Sequence, residues 1–154
     1  MDETQFLQLI GQHQGIIHKI CRLYRDSKED REDLFQEIVF QLWKSIGSYG
    51  GKASFSTWMY KVALSTAIVG YRKRAPRIVY TDVLPDRAEV SNEAGEELME
   101  VLKKLKDDEK AIIALYLEEL SYKEIAEIIG ITENHVGVKL NRVKARMQQL
   151  FKKQ

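Results

Sequence analysis

The stretch SYKEIAEIIGITENHVGVKLNRVK, residues 121–144, predicts two helices joined at a glycine. Ser121 and Glu124 have the spacing of a capping box, which starts a helix. Gly130 supplies the permissive backbone that the tight turn of a helix-turn-helix requires. Thr132 is a natural N-cap for the second helix. The order of these signals predicts a helix-turn-helix.

The second of these helices has an apolar side and a polar side. Its apolar residues follow one another at spacings of four, three, four and three, which puts them on one side: Val136, Leu140, Val143, Met147 and Leu150. The opposite side carries Asn134, Val138, Asn141 and Ala145, flanked by His135, Gly137 and Arg142. Asn can bond an adenine edge, Arg can bond guanine or phosphate, Val can contact a thymine methyl, and the glycine lets a backbone come close. We interpret this side as a DNA-reading surface in a major groove. The alternative is a helical hairpin whose polar side is only solvated.

The charges support a polyanionic partner for the end of the chain. The net charge is only +1, but residues 95–133 hold 11 acids and 5 Lys, a balance of −6. Residues 134–154 hold 6 Lys plus Arg and no acids, a balance of +6. Such a change of sign favours a polyanion at the basic half. It is also compatible with an ordinary solvated helix end, because Lys and Arg suit helix C-termini.

Composition indicates one or two small soluble domains. The chain has 154 residues, of which 44% are hydrophobic and 31% charged. No apolar run approaches the roughly 18 residues of a membrane span, and the N-terminus lacks the basic start of a secretory signal. Cys21 is the single cysteine, so neither a disulfide framework nor a thiolate metal cage is expected. We expect a cytoplasmic protein with no metal and no cofactor.

The apolar periodicity predicts helices almost throughout. The predicted helical segments are 4–24, 33–46 with Ser27 or Asp30 as the N-cap candidate, 56–74 and 93–106, and a further helix opens at Asp107 or Asp108. Between the last two long segments, residues 75–92 contain both prolines and show no clear period. We interpret that stretch as a flexible linker. The predicted fold class is all-α, with two small helical domains and the helix-turn-helix in the second.

Two surfaces of the first domain are candidates for binding. On the helix that starts at Asp33, Phe40 lies opposite the apolar stripe, and an aromatic on a polar face is a candidate protein contact. The later stretch KASFSTWMYKVALSTAIVGYRKR, residues 52–74, mixes aromatic and basic residues, which suits unstacked bases beside phosphates. We assign Phe55, Trp58 and Met59 to the core. The face offered to nucleic acid carries Tyr60, Lys61, Leu64, Ile68, Tyr71 and Arg72.

Three ordered motifs resemble those of a known family. They are DLFQEIVFQLWKSI (33–46), GGKASFSTWMYKVAL (50–64) and LSYKEIAEIIGITENHVGVKLNRVKARM (120–147). Together they resemble the bacterial extracytoplasmic-function (ECF) sigma factors, which give RNA polymerase its promoter specificity. The wording ENHVGVKLNR (133–142) is similar to Bacteroidetes members, which are often linked to a membrane anti-sigma protein. The resemblance implies sigma region 2 over 1–75, a linker over 76–92 and sigma region 4 over 93–154.

The resemblance also implies partners and contact residues. Region 2 would bind the β′ coiled coil of core polymerase through Asp33, Gln36, Glu37, Phe40, Gln41 and Lys44. It would melt and read the minus-ten promoter element with Tyr49, Lys52, Ser54, Tyr60, Lys61, Ser65, Ile68, Arg72 and Lys73. Region 4 would dock on the β flap. It would read the minus-thirty-five element with Thr132, Asn134, His135, Gly137, Val138, Lys139, Asn141, Arg142, Lys144 and Arg146. An anti-sigma factor at the inner membrane is a further expected partner.

The chain departs from the family pattern inside both reading segments. Many relatives carry Asn and Asp where Ser65 and Val69 stand, and a basic residue and Ser where Gly137 and Val138 stand. Base preferences of relatives are therefore not transferred to this chain.

The main alternative is a helix-turn-helix regulator of the response-regulator type that is not a polymerase subunit. It predicts an N-terminal α/β receiver, and the N-terminal half lacks that pattern. An enzyme is a poor fit, because His13, His18 and His135 have no neighbouring nucleophile. His18 and Cys21 share a helix face, but two ligands do not make a zinc site.

Overall fold

The computed structural model describes residues 2–51, 54–69 and 93–152. The chain divides into two compact units, Met1–Glu89 and Val90–Gln154. Within the described residues all regular structure is helical, with seven α-helices, one 3₁₀ turn and no strand. The all-α prediction is confirmed.

The described residues of the N-terminal unit form three α-helices, and short polar side chains start them. They are α1 (Glu3–Tyr24), α2 (Lys28–Ser45) and α3 (Phe55–Val69), with a 3₁₀ turn at Ile46–Ser48. Asp2 accepts the Gln5 amide hydrogen at 2.8 Å in a capping box at the start of α1. Ser27 Oγ accepts the Asp30 amide hydrogen at 3.0 Å, which confirms Ser27 as the N-cap of α2. Ser54 Oγ accepts from the Thr57 amide at 3.2 Å at the start of α3.

Contacts between the helices of this unit define an up-down-up bundle. Phe6 near the start of α1 meets Trp43 near the end of α2, with ring centroids 5.0 Å apart. Helix α2 therefore runs antiparallel to α1. The His13 ring in the middle of α1 lies 5.0 Å from that of Phe55 at the start of α3. Because Arg25, directly after α1, bonds the carbonyl of Ala67 near the end of α3, α3 runs parallel to α1.

A buried arginine ties the far end of this bundle together. Arg25, 8% exposed, follows α1 directly. Its guanidinium donates to the carbonyl of Tyr24 at 2.9 Å and to that of Ala67 in α3 at 3.1 Å. Its own carbonyl accepts from Arg31 Nε at 3.1 Å. A buried charge needs such partners, since burying a charge without them is costly. Arg25 thus fixes the end of α3 against the α1–α2 turn.

The structure corrects the predicted exposure of α3. Tyr60 and Leu64, expected on its nucleic-acid face, are buried at 7% and 4% exposure. The physical reason is that α3 packs against both α1 and α2, so its buried arc is wider than one apolar stripe. Met59 is fully buried, as expected. The side chains that remain outside form what we call the α3 outer face: Lys61, Ser65, Ile68 and Val69.

Four helices are present in the described part of the C-terminal unit, residues 93–152. They are α4 (Glu93–Lys103), α5 (Asp107–Leu117), α6 (Tyr122–Ile129) and α7 (Glu133–Lys152). Helices α5, α6 and α7 pack against one another, and α4 packs against α7. Their common core is aliphatic and includes Val101, Ile112, Leu115, Ile125, Val136 and Leu140. Burial of such side chains is the dominant favourable term for a unit of this size.

The helix-turn-helix has the local geometry that its sequence predicts. Ser121 Oγ accepts the Glu124 amide hydrogen at 3.1 Å, and Glu124 Oε1 accepts the Ser121 amide hydrogen at the same distance. Gly130 ends α6 in the left-handed conformation, with φ 84° and ψ 34°. Thr132 Oγ1 then accepts the His135 amide hydrogen at 3.1 Å at the start of α7. The capping box, the turn glycine and the second N-cap are all confirmed.

Several predictions fall outside the described residues. These are the linker over 76–92, the part of the third predicted helix beyond Val69, and the site residues Lys52, Arg72 and Lys73. Of the residues that the structure does describe, no helix has both the length and the apolarity that a membrane crossing requires. The same residues include no His, Cys, Asp and Glu cluster suited to a metal ion. Cys21 is buried, and this burial raises the pKa of its thiol to about 12.

Candidate nucleic-acid interface

Helix α7 presents one long polar surface opposite its packed side. Its packed side is formed by Val136, Leu140 and Val143, all at most 2% exposed. The opposite side chains are exposed, and we call them the α7 outer face: Asn134, Val138, Asn141, Arg142 and Ala145. Val138 is 43% exposed although it is apolar. The predicted separation of reading and packing sides is therefore present.

An aromatic ring covers one edge of this helix. An ideal Cβ built on Gly137 would lie 3.5 Å from Cε2 of Tyr122, the first residue of α6. Such a Cβ would be at an ordinary van der Waals distance from this ring, and the close approach of a DNA backbone at Gly137 stays a prediction. Tyr122 is itself 42% exposed, so it adds an aromatic and a hydroxyl group to this edge. Sequence reasoning missed Tyr122, because its side-chain direction depends on how α6 packs on α7.

Helix α5 contacts three of the cations predicted to bind the minus-thirty-five element, Lys139, Lys144 and Arg146. Lys139 Nζ lies 3.4 Å from Asp108 Oδ2. Arg146 Nε lies 3.9 Å from Glu109 Oε1. On the other edge of α7, Lys144 Nζ lies 4.1 Å from the centroid of the Tyr116 ring, in cation–π geometry. Two of these cations therefore face carboxylates, whereas Lys144 faces an uncharged ring. The α5 partners were not recognised in the sequence.

In the N-terminal unit, aromatic side chains hold the segment before α3. The Tyr49 ring centroid lies 5.1 Å from that of Trp58 and 6.0 Å from that of Phe55. Phe55 and Trp58 are half-buried, at 5.5 Å from each other, so they are not fully core as expected. Ser54, a predicted minus-ten contact, uses its hydroxyl as the cap of α3. This cluster holds Tyr49 against the first turn of α3.

The outer side of α2 is less exposed than its pattern predicts. Phe40 is half-buried, as are Gln36, Glu37 and Gln41, whereas Asp33 and Lys44 are exposed. Partial burial raises the pKa of Glu37, and the positive charge of Arg25 opposes that shift. The Gln36 Oε1 atom is buried and has no hydrogen-bond partner among the described residues. This surface therefore combines an aromatic side chain with polar groups that are partly desolvated.

Two family models match the chain in order. The sigma-70 region 2 model matches residues 9–77 and the sigma-70 region 4 model matches residues 95–147. The chain belongs to the extracytoplasmic-function sigma factors. It is an alternative sigma factor, a class that binds core RNA polymerase and promoter DNA and directs transcription initiation. The family assignment made from the three motifs is confirmed, while the Bacteroidetes type stays a prediction.

The relatives span nearly the whole chain. The ECF RNA polymerase sigma factor SigW of Bacillus subtilis is 28% identical over 92% of this chain and 86% of its own length. The ECF RNA polymerase sigma factor SigM of Mycobacterium tuberculosis is 26% identical over 97% of this chain and 79% of its own length. Among solved structures, the sigma factor RpoE of Bartonella quintana, in complex with the anti-sigma factor NepR, matches with a TM-score of 0.71. It is 19% identical and covers 97% of this chain and 96% of its own, which shows a shared fold.

These findings disfavour the regulator alternative. A response-regulator receiver requires a parallel sheet. The described part of the N-terminal unit is a bundle of three helices, and its sequence matches sigma region 2.

Proposed function

We propose that this sigma factor reads the minus-thirty-five element with the α7 outer face. The observation that carries the assignment is the combination of Asn134, Val138, Asn141 and Arg142 exposed on one side of α7 with a fully buried opposite side. A helix so presented can enter a major groove and leave its packing intact. Amide, guanidinium and methyl groups there match the donor, acceptor and methyl pattern of base edges. The remaining candidates lie at the start or along the edges of α7, where contacts with DNA position the helix rather than specify a base sequence. They are Thr132, His135, Gly137, Lys139, Lys144 and Arg146.

The minus-ten element is assigned to the α3 outer face and the loop before it. Lys61, Ser65 and Ile68 are exposed along one side of α3. The Tyr49 ring packs on Trp58 in the first turn of α3, which supports a role for Tyr49 at this surface. Cations beside an exposed apolar patch suit a single strand whose bases are unstacked. Tyr60 is buried, and we assign it to the packing of α3 rather than to DNA.

Polymerase binding is assigned to the outer side of α2. Phe40 and the five other candidate residues lie on this side of α2, and the Phe40 side chain is half-buried. A desolvated aromatic at the centre of a polar rim is typical of an interface hot spot. We propose the β′ coiled coil as the partner of this surface and the β flap as the partner of region 4. Residues 1–75 and 93–154 would then act as regions 2 and 4, with 76–92 linking them.

Regulation by an anti-sigma factor is part of the proposal. The Bartonella RpoE structure was solved with the anti-sigma factor NepR, and the fold of this chain matches that sigma factor along nearly its full length. We propose an equivalent partner at the inner membrane. The sigma factor itself would work in the cytoplasm as a non-enzymatic initiation factor, without a cofactor.

Run-off transcription tests the proposal. Purified core polymerase with the full chain is expected to start transcripts at defined sites on genomic fragments of the source cell, and core polymerase alone is not. Promoters found this way supply the cognate DNA for the variants below. If the chain binds DNA tightly but never changes where polymerase starts, the promoter assignments fail.

A further inference from the structure

We infer that Asp108 acts as an internal phosphate mimic that holds Lys139 and thereby restrains DNA binding by one edge of α7. The inference rests on the proposed DNA contact of that helix. Asp108 lies in the first turn of α5, and its Oδ2 atom is 3.4 Å from Lys139 Nζ. A carboxylate at that distance forms an ion pair with the Lys139 ammonium group, as a DNA phosphate oxygen would.

A second ion pair lies on the same edge. Arg146 follows Lys139 by seven residues, two helical turns, so both cations project from the same side of α7. Arg146 Nε lies 3.9 Å from Glu109 Oε1, and Glu109 is the residue next to Asp108. Glu109 Oε1 also accepts the Lys106 amide hydrogen at 2.9 Å, so this carboxylate has a structural task at the start of α5. Asp108 has no such bond to the α5 backbone, which leaves Lys139 as its described ion-pair partner.

The opposite edge of α7 is built differently. Lys144 faces the Tyr116 ring rather than an acid, so its full positive charge is available to a polyanion. The charge reversal along the sequence thus has a three-dimensional counterpart, because acids of α5 neutralise only the Lys139 and Arg146 edge. DNA phosphates must compete with Asp108 for Lys139, whereas they meet no acid at Lys144.

The Lys139–Asp108 pair is weak enough to exchange. Both side chains are partly exposed, at 30% and 61%, and exposed pairs contribute little because water and salt screen them. Asp108 therefore does not lock Lys139 permanently. It lowers the affinity for any DNA, which is the sequence-independent component of binding that depends on phosphate contacts.

The test compares charge-neutral variants of the full chain on a mixed-sequence DNA duplex, with fluorescence anisotropy as the readout at several salt concentrations. Asp108→Asn is expected to tighten binding about two- to fivefold, the range an exposed ion pair supports. Glu100→Gln on α4 is the matched control, since it removes one exposed acid of the same unit. It is expected to change affinity much less. In a Lys139→Ala background the gain from Asp108→Asn should disappear.

The outcomes separate the inference from the proposed function. Equal gains for Asp108→Asn and Glu100→Gln would mean a general charge effect and would overturn the inference alone. A gain that persists in the Lys139→Ala background would also overturn it, because Asp108 would then repel DNA directly. If neither the parent chain nor Asp108→Asn binds DNA at low salt, the inference is overturned, whereas the α7 interface is tested separately by promoter binding of the holoenzyme.

Discussion

The two units expose their candidate DNA-binding helices by different means. In the N-terminal unit α3 buries seven of its fifteen residues, because two helices pack against it. In the C-terminal unit α7 buries only three of its twenty residues, all on one side. Which side chains α3 can offer to DNA is therefore decided by tertiary packing. Which side chains α7 can offer to DNA follows from the periodicity of the helix itself.

Replacing Tyr60 provides the largest test of this difference. Because Tyr60 is buried in the bundle, Tyr60→Ala is expected to destabilise the N-terminal unit by about 3 kcal/mol. Ser65→Ala, on the exposed side of the same helix, should change stability by no more than about 0.5 kcal/mol. Both tryptophans of the chain, Trp43 and Trp58, lie in this unit, so urea unfolding followed by tryptophan fluorescence reports on it alone. If the urea midpoint of Tyr60→Ala equalled that of Ser65→Ala, Tyr60 would have to lie on the exposed side of α3.

Phe40 distinguishes binding from packing on α2. Because its ring is only half-buried, Phe40→Ala is expected to cost about 1 kcal/mol of stability, well below Tyr60→Ala. Its affinity for core polymerase should fall by about 2 kcal/mol, the loss typical of a hot-spot residue. Titration of labelled sigma factor with core polymerase measures this, with Ser65→Ala as the control. A stability loss near 3 kcal/mol with unchanged polymerase affinity would make Phe40 a core residue.

Two glycines of the C-terminal unit test how local its folding signals are. Gly130 has φ 84°, so Gly130→Ala should destabilise the unit by about 1 kcal/mol through backbone strain, since no atom lies near the new Cβ. Gly137→Ala is the matched control. It lies inside α7, its Cβ would meet Tyr122 at an ordinary 3.5 Å, and it should be neutral or stabilising by up to about 1 kcal/mol. Thermal unfolding by circular dichroism measures both. A neutral Gly130→Ala would show that the turn tolerates a side chain.

The sequence predicts features that depend on nearby residues better than features that depend on tertiary packing. The caps Ser27, Ser121 and Thr132 and the turn at Gly130 depend on neighbours within a few residues, and all were predictable. So was the outer face of α7, since one apolar stripe decides it.

Features that depend on distant residues were not predictable. Tyr60 is buried because two other helices pack against α3. Tyr122 of α6 lies beside Gly137 of α7. Asp108 contacts Lys139, which is thirty-one residues away in the sequence. The left-handed backbone of Glu119, φ 64°, was also missed, because a glutamate carries no signal for that conformation. Where the exposure of a residue depends on contacts between helices, its role can be assigned only from the structure.

Binding of holoenzyme to promoters with intact and scrambled minus-thirty-five elements tests the central claim most directly. Asn141→Ala should cost about 1–3 kcal/mol on the intact element and much less on the scrambled one, because it removes a base contact. Lys144→Ala should weaken binding to both alike and flatten the salt dependence by about one ion, because it removes a phosphate contact. Equal losses on intact and scrambled DNA for Asn141→Ala would contradict base reading by α7 and leave this helix as a clamp on the DNA backbone.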